Sequence, residues 1–176
     1  MRTPPIKDRD DTDAWVMDRD ADGWGPPRPL GAPWDTNANE HSMATARAGL
    51  VCVNGARPGG VGENDLYCSP DLSSAPVVMR TLSSTAEDAF ATVSPDGDVI
   101  VFASNRPGGS GGFDLYAARR DGDDWTPPVN LGAPINSSAD ELNPSLDDDT
   151  LLFVRTTDGS RSVLAQRGWL GSVTTR

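Results

Sequence analysis

Asp18, Asp20 and Asp22 stand in the run Asp18-Arg19-Asp20-Ala21-Asp22-Gly23, the spacing that opens a calcium loop. Carboxylates at alternating positions converge on a hard cation, and the glycine allows a sharp turn. An EF-hand also needs a glutamate at the twelfth position, where this chain has Pro29. A hairpin turn rich in aspartate is the other reading of the same run. Gly108-Gly109-Ser110-Gly111-Gly112 fits the G-x-S-x-G form of a nucleophile elbow. Such a serine needs a histidine base, and His41 is the single histidine. A second copy of the segment carries Val61 where this one has Ser110, so a glycine hairpin loop is expected here and no catalytic residue. Glu40, Asp88 and Glu141 recur at one phase of a repeat. As a ring near an axis they would bind a cation or a basic peptide; otherwise they cap backbone amides or sit solvated at a channel mouth.

The elements that position these residues come from the repeat itself. Val99-Ile100-Val101-Phe102-Ala103 leads into Arg106-Pro107-Gly108-Gly109 and then Asp114-Leu115-Tyr116. Leu50-Val51-Cys52-Val53, Arg57-Pro58-Gly59-Gly60 and Asp65-Leu66-Tyr67 stand forty-nine residues earlier. Short β-branched and aromatic runs around a Gly/Pro cluster read as antiparallel strands and their connection. The segment Asp13 to Pro33 returns 101 positions downstream as Asp114 to Pro134, with Trp24 matching Trp125 and Leu30-Gly31 matching Leu131-Gly132. An intermediate copy is expected with Leu82 in register with Leu131 and with the turn Ser94-Pro95-Asp96-Gly97.

Each unit reads as four short strands: one after the acidic residue, a fully apolar second, the Asp-Leu-Tyr third, and a fourth entered through Trp-x-Pro-Pro. Four strands in roughly fifty residues match a β-propeller blade, and a strand covered on both faces has no need to alternate. Ser84-Thr85-Ala86-Glu87 also looks like a helix capping box. The Asn/Ser clusters in the equivalent segments favour a loop and then a strand. The expected fold is all-β, about three and a half four-stranded blades of a partial or open propeller. Its divisions are a tail at 1–12, a half blade at 13–29, and copies at 30–81, 82–130 and 131–176.

These residues resemble the WD-repeat-like blades of TolB-type β-propellers. The resemblance rests on the acidic residue, Ser94-Pro95-Asp96-Gly97, Phe102-Ala103-Ser104-Asn105-Arg106, Gly111-Gly112-Phe113-Asp114-Leu115-Tyr116 and Trp125. The later strands are similar to repeats in cell-envelope proteins that also carry OmpA-like domains. The resemblance implies a non-catalytic scaffold for protein or ligand contact, in the periplasm or outside the cell, with a protein partner or a second copy of the chain. The alternative is the substrate-gating propeller of a larger serine peptidase of the tricorn or prolyl-oligopeptidase type.

Composition agrees with many turns: 18 glycines and 15 prolines leave little room for long helices. A net charge of −11 argues against a nucleic-acid partner. No stretch approaches the ~20 apolar residues of a membrane span. Met1 to Trp15 lacks the apolar core of a signal peptide, as expected of a cytoplasmic chain or of one without its true start. No cofactor is expected besides calcium at the Asp18 loop. Large aromatics at repeated positions, Trp24, Trp125 and Trp15 among them, are expected in the packing between blades. Asn136-Ser137-Ser138 is a formal glycosylation sequon. If Val53 and Tyr67 lie opposite each other, so do Cys52 and Cys68, leaving either a cross-strand disulfide or two buried thiols.

Overall fold

The computed structural model describes residues 14–36 and 38–169; the expected tail at 1–12, Asp13, and the end of the last expected copy lie outside them. Every regular element among the described residues is a β-strand. A leading half-sheet holds β1 (Trp15–Val16) paired with β4 (Arg28–Pro29), and β2 (Arg19–Asp20) paired with β3 (Gly23–Trp24). Sheet I follows in the order β5 (Glu40–Thr45), β6 (Val51–Gly55), β7 (Asp65–Ser69), β8 (Val77–Val78). Sheet II runs through β9 (Asp88–Val93), β10 (Val99–Ser104) and β11 (Asp114–Asp121), whose far edge takes β12 (Asp124–Trp125) and β13 (Val129–Asn130). Sheet III has β14 (Asp140–Asp147), β15 (Thr150–Thr157) and β16 (Ser160–Arg167). All these strand pairs are antiparallel, as short strands joined by tight turns allow.

The repeat at 101 positions is a repeat of hydrogen bonding. Trp15 opposes Pro29 and Val16 opposes Arg28; Tyr116 opposes Asn130 and Ala117 opposes Val129. The Arg19–Trp24 pair returns as Arg120–Trp125. In the intermediate copy the expected register is corrected. The amide of Met79 donates to Leu66 O as that of Leu131 donates to Leu115 O, so Met79, not Leu82, is the counterpart of Leu131. Leu82 takes the place of Trp34 and Ile135, because the linker between is one residue shorter and lacks their Ala-Pro. Ser84 starts no helix: its hydroxyl takes the Ala86 amide and bonds Asp88, shaping the loop into β9.

The three sheets stack face to face. One cluster joins Leu50, Cys52, Leu66 and Cys68 of sheet I to Ile100, Phe102 and Tyr116 of sheet II. The other face of sheet II, with Val101, Leu115 and Ala117, meets Leu151 and Phe153 of sheet III. Every residue of β10 is therefore buried, which is why its sequence is apolar without alternation. Trp125 is 3% exposed against sheet I, and Trp169 is 1% exposed against sheet II. Trp169 stands in the third copy, 131–176, but enters no fourth strand. Gly168 N donates to Asp149 O as Arg120 N donates to Asp98 O, which puts Trp169 at the end of the third strand. Trp24 is a second correction. It is 66% exposed, and Trp15 only half-buried, because among the described residues no sheet lies in front of the leading half-sheet as sheet I lies in front of sheet II.

Cys52 lies opposite Cys68 and is bonded to it, with the Cα atoms 4.1 Å apart. The bridge spans 16 residues, so reduction is expected to lower stability by about 2 to 3 kcal/mol through the freed unfolded chain. Urea midpoints with and without reductant measure this; equal midpoints reject it, and two reactive thiols in oxidised, denatured protein reject the bridge.

The turn before β10 is held by Asp96, whose carboxylate accepts from the Ser94 hydroxyl and the Asp98 amide. These bonds, the Ser94 hydroxyl first, lower the pKa of Asp96. A lowered folded value stabilises the protein above the unfolded carboxylate pKa, and that contribution is lost as pH falls through the folded value. Ser94→Ala is expected to return the Asp96 titration toward the ordinary carboxylate range. An unmoved carboxyl chemical-shift titration in the variant would refute this.

Candidate functional site

Each acidic residue of the repeat is buried and held by an arginine. Glu40 accepts from the Thr36 hydroxyl at 2.6 Å and from Arg57 at 3.2 Å. Asp88 accepts from the Ser84 amide and hydroxyl, the Ser104 hydroxyl and Arg106. Glu141 accepts from the Ser137 amide and hydroxyl and from Arg155 at 2.6 Å. The guanidinium groups also donate to carbonyls of the entering loop: Trp34 O, Leu82 O and Ile135 O. Each lies over an aromatic ring, Arg57 at 5.4 Å from Tyr67, Arg106 at 4.8 Å from Tyr116, and Arg155 at 5.8 Å from Phe153. The carboxylates thus pin the loop before the first strand to the second strand and its exit.

The arginines were not singled out in the sequence. Arg57 and Arg106 belong to the Arg-Pro-Gly-Gly motif, so their recurrence beside a recurring acid was an available signal. Arg155 was harder to find: it comes from within β15, directly opposite Glu141, whereas Arg106 lies past the end of β10. A second acid supports the motif. Asp65 takes the amides of Val61 and Gly62, and Asp114 takes those of Ser110 and Gly111. Ser110 therefore sits in a loop between two strands, and His41 is exposed on β5.

Asp18, Asp20 and Asp22 are exposed at the β2–β3 hairpin. Asp18 pairs with Arg28 at 3.0 Å, and Asp20 accepts the Asp22 amide in an Asx turn. No group of three or more metal-ligating side chains is gathered among the described residues. Asn136 of the sequon is buried, with its amide donating to Leu115 O and Asn130, so it is closed to modification in the folded chain.

The first strands of the three sheets meet along a groove of about 360 Å³. Ser42 to Thr45 of β5, Phe90 to Thr92 of β9, and Asn143 to Ser145 of β14 line it. Pairing is irregular in each of these strands: between Glu40 and Ser42, opposite Val101 to Ala103, and between Leu142 and Ser145. Phe90 and Asn143 occupy equivalent left-handed positions, with φ of 54° and 50°. Asparagine tolerates that conformation; phenylalanine rarely does, so the surrounding structure must hold it. Asn54, wholly buried, helps do so by accepting the Phe90 amide and the Ser42 hydroxyl, which joins sheet I to sheet II. Bulges free backbone groups from the ladder and re-aim side chains. The groove lining is hydroxyl, amide and apolar, with no charged residue, and none of Glu40, Asp88 and Glu141 belongs to it.

No helix among the described residues is long and apolar enough to cross a membrane. No protein-family model matches the chain, and no curated protein matches it. Among solved structures it is similar to TolB from Acinetobacter baumannii, with a TM-score of 0.55 and 17% identity over 81% of this chain. The aligned part is 32% of that TolB chain, so the described fold spans about a third of its length. The likeness shows a TolB-like, antiparallel all-β fold.

Proposed function

We propose that this chain is a run of β-propeller blades that serves as a non-catalytic, cofactor-free protein-binding scaffold in the bacterial cell envelope. The observation that carries this reading is the groove, built from the first strands of three sheets, each with an irregular pairing and two of them bulged at equivalent positions, and lined by uncharged polar and apolar groups. An extended peptide segment of a partner fits such a lining, meeting hydroxyls and freed backbone groups by hydrogen bonds. The TolB-like fold supports the propeller reading. The Cys52–Cys68 bridge supports an oxidising compartment.

A photo-crosslinking residue at Thr92, in the groove, is expected to give one discrete protein adduct in an envelope extract. The same residue at exposed Glu63, outside the groove, is expected to give none. Adducts from both positions, or from neither, reject the groove. Peptidase turnover above that of heat-denatured protein would reject the non-catalytic reading.

A further inference from the structure

The back face of each sheet repeats the same opposed pairs. In sheet I, Cys52 opposes Cys68 and Asn54 opposes Leu66; in sheet II, Val101 opposes Ala117 and Ala103 opposes Leu115. In sheet III, Leu152 opposes Ala165 and Val154 opposes Val163. The first two sets are buried because the next sheet lies on them. In the third, Leu152 is 39% exposed and Val163 is 75% exposed. At the other end of the stack, the leading half-sheet presents Trp24. Its counterpart Trp125 packs on the back face of sheet I, beside Leu50, Cys68 and Met79. Trp24 keeps the arginine that accompanies Trp125: Arg19 lies 5.7 Å from its ring, as Arg120 lies 5.6 Å from Trp125.

We infer that these two faces are halves of one junction, and that the partner is a second copy of this chain docked head to tail. The half-sheet of one copy lies on the face of sheet III that holds Leu152 and Val163, with Trp24 over Thr150 and Ala165, the counterparts of Leu50 and Cys68. Continuity with the internal interfaces identifies the occupant. The receiving face carries Thr150 and Ala165 in the places of Leu50 and Cys68, with Leu152 and Val163 in those of Cys52 and Leu66 on the same interface, and the entering half-sheet repeats the strand pairing around Trp125 in the same register. Such a contact is heterologous, and two of them close a ring of two copies. The junction lies away from the groove, so a failure of either reading leaves the other standing.

The test is light scattering and sedimentation of the chain over a range of concentrations. A particle of twice the 18.6 kDa chain mass is expected. Trp24→Glu and Val163→Glu each alter an exposed side chain, and each is expected to weaken the association roughly 30-fold, the loss of a hot spot. Ala165→Lys replaces Val163→Glu if that variant lowers the urea midpoint. An equimolar mixture of the Trp24 and Val163 variants retains one intact junction and is expected to form dimers at concentrations where either variant alone is monomeric. A monomer at every concentration overturns the inference. So does a mixture that stays monomeric, because that outcome belongs to a contact between like faces.

Discussion

Replacing Arg106 with methionine is expected to lower the unfolding free energy by about 3 to 5 kcal/mol. The reason is the neighbour left behind. Asp88 is wholly buried, and its charge is balanced by Arg106. Methionine keeps much of the packing over Phe102 and Tyr116, so the loss reports mainly the stranded carboxylate. Removing the charge as well, in Asp88→Asn with Arg106→Met, should recover part of the loss. Arg28→Met breaks an ion pair on the surface and should cost less than about 1 kcal/mol. Urea unfolding of the wild type, of Arg106→Met, Asp88→Asn and Arg28→Met, and of the double variant supplies the numbers. A cost near that of Arg28→Met, or a double variant as weak as the sum of its single ones, would show that Asp88 does not depend on its arginine.

Gly111→Ala is expected to cost about 3 kcal/mol or more, at the upper end of overpacking effects. A Cβ at this position would stand 1.9 Å from Ala139 O and 2.8 Å from Ser137 O. Both are backbone atoms of the loop that enters sheet III, so no rotamer change relieves the overlap. Gly62 meets the loop before sheet II in the same way, 2.3 Å from Ser84 O and 2.6 Å from Ala86 O. Gly122→Ala is the control. Gly122 has open space around it and a φ of +60°, so only left-handed strain of about 1 to 2 kcal/mol applies. Hydrogen exchange adds a local reading: the Glu141 amide, bonded to Phe113 O across this seam, should lose protection in Gly111→Ala but not in Gly122→Ala. Equal effects of the two substitutions would place the strain in the glycine itself rather than at the seam.

Much of the architecture was legible because the repeat is written in residues that dictate local geometry. The Arg-Pro-Gly-Gly loop, Asp-Leu-Tyr and the Trp-containing hairpin return at one offset, and their pairings return with them. That Cys52 faces Cys68 followed by register alone, while the bond between them did not. What escaped depends on neighbours rather than on the residue itself. Trp24 and Trp125 match in sequence and pairing, yet only one has a sheet beneath it. Leu82 was assigned by spacing, which fails because the stretch from Leu66 to Met79 is three residues shorter than that from Leu115 to Leu131 and the following linker is one residue shorter again. The acidic residues were visible as a periodic set, but their burial and their arginines were not, because Arg155 reaches the same place from a different strand position. The groove was invisible for a related reason: a bulge leaves no residue signature when its left-handed positions are held by phenylalanine and asparagine.

The seams at Gly62 and Gly111 set how the chain bends. At each, the loop of one sheet touches the entering backbone of the next closely enough to exclude a methyl group. Main-chain bonds from Asp88 N to Asn64 O and from Glu141 N to Phe113 O cross the same seams. Contacts between main chains carry no rotamer freedom, so the pitch from sheet to sheet is set by covalent geometry rather than by side chains that could repack. The array is in effect a stiff protractor. The angles among β5, β9 and β14 are already fixed, and a segment laid across them is measured by the spacing of its polar groups.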